Sequence, residues 1–478
     1  MIKKIKNCIS NVYKKETPLK IEWIFVGIIS LIILMFFLHG DTKNLITWSL
    51  NMLDVTFQGR PMDYYKYSIE NPNMAPTQYV SGTLYSLMIW AVWNIPIWIA
   101  KKIGGVAVLQ SPFVWIWGKL FLVACLIVTL AFIYKIVKRM TNNDNTAKWA
   151  MFLMASSVFV YMGVFYGGQN DIVICAFAVS AVYCLMNGRM KSFYLLAGMA
   201  ISVKYFFLIP YIAIILLLEK KIHKIIVKVF WGCLPTLVYY GVTRFCPMVN
   251  EAADEGSPIS VLLKEMIGES FPVVYTNSMS LFVAALLVVY VLAYLTTPRD
   301  EKERDCFIIY YIVAASIAML IFSTFQYYRV VMLCPFLAIL LVIDNVKMRV
   351  NVILETIISG ALFILLLIQA QLYLFVNWVL QEVLIRDVLH INMREAIKYQ
   401  SLGSWVSSRI STNMQGIILQ IMATIVVVLS IILLALNHPR FHNRITDIPE
   451  MKLERWIYWV RGIFVLPPLI YLAYMVLR

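Results

Sequence analysis

Four ionisable residues lie where apolar runs of membrane length begin or end. They are Asp41 in His39-Gly40-Asp41, Asp171 in Gly167-Gly168-Gln169-Asn170-Asp171, Lys204 within Ser192–Leu218, and Arg329 in Phe325-Gln326-Tyr327-Tyr328-Arg329. Charges at membrane depth are costly and rarely face lipid, so they mark a polar cavity where something charged is bound or transformed. Two carboxylates with two cations suit a reaction between a hydroxyl nucleophile and a phosphate leaving group. The cations would hold the phosphate and neutralise its growing charge. A carboxylate would take the proton of the attacking hydroxyl. Each residue also has a plainer reading. Asp171 fits a helix cap, Lys204 and Arg329 fit side chains reaching for lipid head groups, and Asp41 fits an ordinary loop acid.

The elements that must position these residues are membrane helices. The chain is 61% hydrophobic and 14% charged, with a mean hydropathy of +0.78, far from a soluble balance. Apolar runs of about 20 residues recur throughout, each long enough to cross a bilayer core. The net charge of +15 falls in short loops between these runs, which points to membrane topology and not to nucleic acid. The eight Cys form no CxxC pair, the five His show no metal-ligand spacing, and neither a P-loop nor a GxSxG element is present. No metal and no cofactor is expected. Met1 to Lys20 is basic and precedes the apolar Ile24–Leu38. No small-residue cleavage site follows, so an uncleaved first span is expected.

The Lys-rich start places the N-terminus inside and His39-Gly40-Asp41 outside. Tyr79–Ala100 is rich in Trp and carries Pro96; it is expected to lie in the interface, so that Lys135, Lys138 and Arg139 fall inside. Further spans are expected at Phe113–Tyr134, Lys148–Tyr166 and Asp171–Met186. Ser192–Leu218 has basic residues on both flanks, which suggests two half-spans turning near Lys204. The remaining spans are Ile225–Val242, Ser278–Leu295, Cys306–Phe325, Val330–Ile343, Val352–Phe375, Ile417–Leu436 and Ile457–Leu477. The fold expected is an all-α polytopic membrane protein with about 13 transmembrane helices. It forms one domain over 1–478: a core at 21–345 that includes outer loop 40–112, and C-terminal helices at 346–478 with outer loop 376–415. All four charged sites then converge on the outer face. Asp54 and Asp63 lie deeper in the first loop and are expected to be solvated.

The ordered set of residues resembles a family. Asp41 follows the first span, with Trp48 shortly after; an aromatic, Pro-containing loop comes next, then Gly168-Gln169-Asn170-Asp171, and then Lys204 with Pro210. This order is similar to that of the GT-C superfamily of integral-membrane glycosyltransferases. Within it, the mannosyltransferases of glycosylphosphatidylinositol-anchor assembly and their bacterial relatives are the most similar. The likeness covers Phe37 to Pro210 and Gln326 to Pro335. The loop lacks a tandem Pro-Pro, having Asn71-Pro72-Asn73-Met74-Ala75-Pro76 instead, and Gln326-Tyr327-Tyr328-Arg329 replaces the His and Arg-Tyr common in relatives. The resemblance implies transfer of a sugar from a polyprenyl-phosphate donor to a glycan, lipid or protein acceptor on the extracytoplasmic face, without nucleotide or nucleic acid. It implies an acidic residue in the first outer loop as base or acceptor-positioning group, the position of Asp41; Asp171 is expected as the second catalytic group, positioning Asp41 or the donor. Gln169, Asn170, Lys204, Tyr328, Arg329 and Trp48 would bind substrate. The expected location is a bacterial plasma membrane, among its lipids. Two other functions share these features: a transporter or flippase of lipid-linked sugars, and an extracytoplasmic polysaccharide polymerase or ligase.

Overall fold

The computed structural model describes residues 17–71, 73, 84–247, 270–273, 277–322, 327–344, 346–369, 390, 402–441 and 456–477. Nearly all described secondary structure is helical; one antiparallel ribbon pairs β1 (Ser270–Val273) with β2 (Asn277–Ser280). Five described helices are long and apolar enough to cross a membrane, or seven if each of two bent pairs counts as one span. The chain therefore has the make-up of a helical membrane protein. A count of thirteen would need the shorter apolar helices as well. Outer loop 376–415 lies mostly outside the described residues.

Helix α1 (Lys20–Phe36) ends at an extended Phe37, and α2 (Gly40–Phe57) leaves at 68° to it. His39 caps α2 by accepting the Asp41 backbone N–H on Nδ1, at 3.2 Å. The first loop continues through α3 (Tyr64–Glu70), α4 (Leu84–Trp93) and α5 (Ile95–Gly104). Pro96 and the Asn94 turn separate α4 from α5, and each is only ten residues long. At 1.5 Å per residue each reaches about 15 Å, half a bilayer core.

Helix α6 (Pro112–Thr141) is the longest among the described residues. Asn142 in the left-handed region closes it, and Asn143 caps α7 (Asp144–Ala155) through Asn145 N–H and Thr146 N–H. After a break at Ser156-Ser157 the chain bends by 45° into α8 (Val158–Tyr166), whose last six residues are π-helical. Such wide turns recur at functional sites. Helix α9 (Asp171–Met186) then runs in the same direction as α6: the two ends meet where Arg139 donates to Asn187, at 2.9 Å.

Next come α10 (Met190–Val203), a 3₁₀ turn at Tyr205–Phe207, α11 (Leu208–Leu218) and α12 (Ile222–Thr243). Their contacts fix direction. Gly198 and Ser202 of α10 lie against Pro235 and Thr236 of α12, so the two helices advance together. On α11 the order is reversed: Glu219 pairs with Lys228, and Tyr211 lies against Gly232. Phe193 and Tyr211 also face each other, with ring centroids 5.6 Å apart. The chain thus turns back on itself at Lys204, whose backbone is extended.

The second half comprises α13 (Leu281–Leu295), α14 (Glu301–Phe322), a 3₁₀ helix at Tyr327–Met332, and α15 (Cys334–Ile343). It continues with α16 (Met348–Gln369), α17 (Leu402–Ser407), α18 (Thr412–Leu436), α19 (Trp456–Ile463) and α20 (Leu466–Leu477). Helices α9 and α15 are almost wholly buried. That explains how runs of 16 and ten residues can be apolar yet short: they pack on protein, so no lipid thickness sets their length.

Candidate active site

Gly167 to Asp171 is a turn in which successive residues fasten different parts of the fold. The π-helical turn feeds it: Gly167 N–H donates to Met162 O at 2.9 Å, and Gln169 N–H to Gly163 O at 3.0 Å. Gly168 has φ +54, and a Cβ there would collide with Thr42, so only glycine fits. Its carbonyl accepts from Thr42 Oγ1 at 2.7 Å. Gln169 Nε2 donates to Asp41 Oδ2 at 2.6 Å and also approaches His39 Nδ1, at 3.4 Å. Asn170 donates to Ser86 Oγ and accepts from Trp90 Nε1, the latter at 2.9 Å. Asp171 takes the Lys204 ammonium on both oxygens, at 3.0 and 3.2 Å. One turn therefore joins α2, α4, α9 and the reversal after α10.

The two carboxylates differ in access. The Asp171 side chain is 0% exposed and fully engaged with Lys204, whereas that of Asp41 is 45% exposed. His39 Nδ1 lies 3.7 Å from Asp41, but that nitrogen accepts the Asp41 N–H, so its lone pair is in use and the ring is the neutral tautomer. Asp41 is thus oriented by Gln169 and left open on its other side. Lys204 retains 28% exposure while paired. Arg329 lies in the 3₁₀ helix that packs on α8 and α9, and its guanidinium stacks 4.7 Å over the Phe206 ring, two residues beyond Lys204. The structure therefore brings Asp41, Gln169, Asn170, Asp171, Lys204 and Arg329 to one end of the bundle. The basic loops with Lys138, Arg139 and Arg304 lie at the other, where Arg139 also meets Asp305.

Trp48 is 2% exposed and packs in the apolar core. One placement departs from the sequence expectation. Asp54 is buried, not solvated: Lys101 and Lys102 approach its two oxygens at 2.9 and 2.7 Å, and Trp98 Nε1 donates to it at 2.9 Å. These contacts tie α2 to α5. Asp63 is partly exposed and pairs loosely with Arg60, at 3.9 Å. The side chain of Tyr328 lies outside the described residues.

Three buried charges within the apolar runs are not among the residues the sequence singles out, although a charge inside such a run is itself a signal. Lys119 is 1% exposed and donates to the C-terminal carbonyls of α1: Ile33 and Leu34 at 3.2 and 3.1 Å, and Phe37 at 2.5 Å. It caps the carbonyl end of α1, where Ile33 O also takes the Phe37 N–H, and fixes where α1 stops, five residues before Asp41. Glu355 and Arg461 form a buried pair at 3.2 Å. Among the described residues no group of His, Cys, Asp and Glu is arranged to hold a metal ion. Neither a protein-family model nor a curated protein matches this sequence.

Proposed function

We propose that the chain is a GT-C-type glycosyltransferase that moves a hexose, as mannosyltransferases do, from a polyprenyl-phosphate donor to an acceptor hydroxyl. The observation that carries this reading is an open carboxylate, Asp41, held by the same turn that pairs with an ammonium, Lys204, with the guanidinium of Arg329 stacked on Phe206 two residues further on. In the reaction the acceptor oxygen forms a bond to the anomeric carbon as the bond from that carbon to the phosphate oxygen breaks. The acceptor proton passes to Asp41, and the leaving electron pair stays on the phosphate. Arg329 holds that phosphate with Lys204 beside it; Asp171, having no open oxygen, acts by fixing Lys204. Gln169 aims Asp41, and Asn170 ties the turn to the loop helices that would cover the donor sugar. The purified protein should transfer label from one member of a panel of radiolabelled polyprenyl-phosphate sugars, resolved by thin-layer chromatography. Turnover only with a lipid-diphosphate oligosaccharide would make the protein a polymerase or ligase. Binding without turnover by any donor would make it a carrier.

Arg329→Ala should cut donor use roughly ten- to hundred-fold, the equivalent of about 1.5–3 kcal/mol for one charge-assisted contact. Arg329→Lys should rescue little, because an ammonium lacks the planar fork that binds phosphate and stacks on Phe206. Wild-type kcat/KM for donor in Arg329→Ala would remove the residue from the site.

In this reading about 13 helices cross the membrane. The site faces the extracytoplasmic side of a bacterial plasma membrane, and Tyr79–Ala100 lies along the interface. A single cysteine placed at Gly104 should then react with an impermeant thiol reagent on intact cells, and one at Asn143 should be protected. The opposite pattern would invert the orientation.

A further inference from the structure

The C-terminal helices reach back to the candidate site through two contacts. At the break between α7 and α8, the Ser157 N–H turns to Met154 O, at 3.1 Å, and so leaves the Leu153 carbonyl without its usual helical donor. Arg461 of α19 fills that vacancy, its Nη2 donating to Leu153 O at 2.9 Å. A guanidinium at this depth needs a counter-charge. Glu355 of α16 supplies it at 3.2 Å, and also accepts from Ser359 at 3.1 Å and from Ser157, the residue at the break, at 3.5 Å. Both charged side chains are 2% exposed.

The second contact lies at the far end of the same bent segment. Tyr166, the last π-helical residue before Gly167, donates its hydroxyl to Val465 O at 3.0 Å, in the short break between α19 and α20. Its ring meets Phe37 edge-on at 4.8 Å, beside the α1 terminus that precedes His39 and Asp41. Residues 461–465 therefore hold the bent segment just before its break and at the end of α8, and α8 leads directly into the turn bearing Gln169 and Asp171.

The geometry points to Arg461 and Tyr166 as positioning residues. The segment Arg461–Val465 is a brace that fixes α8, and through it the register of the Gly167–Asp171 turn against Asp41. This rests on reading that turn as the reacting site. Without the brace, the π-helical turn is free to rewind, and Gln169 no longer aims Asp41.

Hydrogen–deuterium exchange on the full-length protein in lipid nanodiscs tests the brace without any substrate. In Arg461→Leu, amides of residues 161–170 should exchange at least about tenfold faster than in wild type, while those in the middle of α6 stay unchanged. Tyr166→Phe, which removes one hydroxyl, should give a smaller rise over the same residues. Arg461→Lys should restore part of the protection, since an ammonium reaches one of the two acceptors. If Arg461→Leu fails to fold, Tyr166→Phe alone decides the matter. Wild-type exchange over 161–170 in the folded variants overturns the proposal, as does a rise spread evenly over the chain. The readout is independent of sugar transfer, so the brace and the transferase reading can fail separately. If transfer is observed, the same variants should lose turnover while Arg329 still binds donor.

Discussion

Lys204→Met should destabilise the protein by about 3 kcal/mol, the lower end of what removing one partner of a buried ion pair costs. The lower end applies because Lys204 is 28% exposed and already shares its charge with solvent. Asp171 is the reason the cost is large: its carboxylate is 0% exposed and would lose the ammonium it meets at 3.0 and 3.2 Å. The double variant Lys204→Met/Asp171→Leu should recover most of the loss, since no buried charge remains without a partner. Asp171→Asn should be milder than Lys204→Met, because its amide oxygen still accepts from the ammonium. Thermal unfolding of the four proteins in one detergent gives the comparison. If the single and double variants melt together, at or near wild type, the pair does not hold the reversal at Lys204 to the turn.

The class of this protein, and the place of several of its helices, is legible in its amino-acid sequence. Apolar runs announce helices because burial and lipid reward the same residues, and α9 spans the residues the sequence marks, Asp171–Met186. The turn at 167–171 stands out because Gly-Gly-Gln-Asn-Asp combines residues that favour non-helical backbone with residues that bond it. What each side chain bonds is not legible there. Partners such as Asp41 and Gln169 are separated by 128 positions, and pairings at such range are fixed by packing alone. Asp54 misleads for a related reason. A carboxylate in a loop is solvated unless something covers it, and here Lys101, Lys102 and Trp98 do so from more than forty residues away. The burial of Trp48 is not legible either, because Trp marks membrane interfaces and helix cores alike. Lys119, Glu355 and Arg461 are legible as single charges inside apolar runs, but their roles depend on where other helices end or break. Helix length is also not legible where helices are sheltered by protein. Helix α15 needs only ten residues because its neighbours surround it.

Asp41 is the residue on which the proposed reaction turns. It is the carboxylate of the cluster with open surface, it is aimed by Gln169 at 2.6 Å, and it lies one short link beyond the helix end that Lys119 fixes. An isosteric Asp41→Asn keeps an oxygen for the Gln169 amide and removes the charge, and with it the capacity to take a proton. Loss of a general base typically costs about 10²–10⁴ in rate, so turnover should fall by that factor while donor binding and unfolding temperature hold. Asp63→Asn is the proper control, since Asp63 is a partly exposed acid of the same loop. Asp54→Asn is a poor one, because it strands Lys101, which is 10% exposed. The decisive measurement is a single turnover: excess enzyme loaded with radiolabelled polyprenyl-phosphate sugar, mixed with acceptor and quenched over time. Wild type and Asp63→Asn should convert the bound label and release polyprenyl phosphate together, while Asp41→Asn holds the donor and transfers it at least about a hundredfold more slowly. Transfer by Asp41→Asn at the wild-type rate would contradict the role of Asp41 as the base.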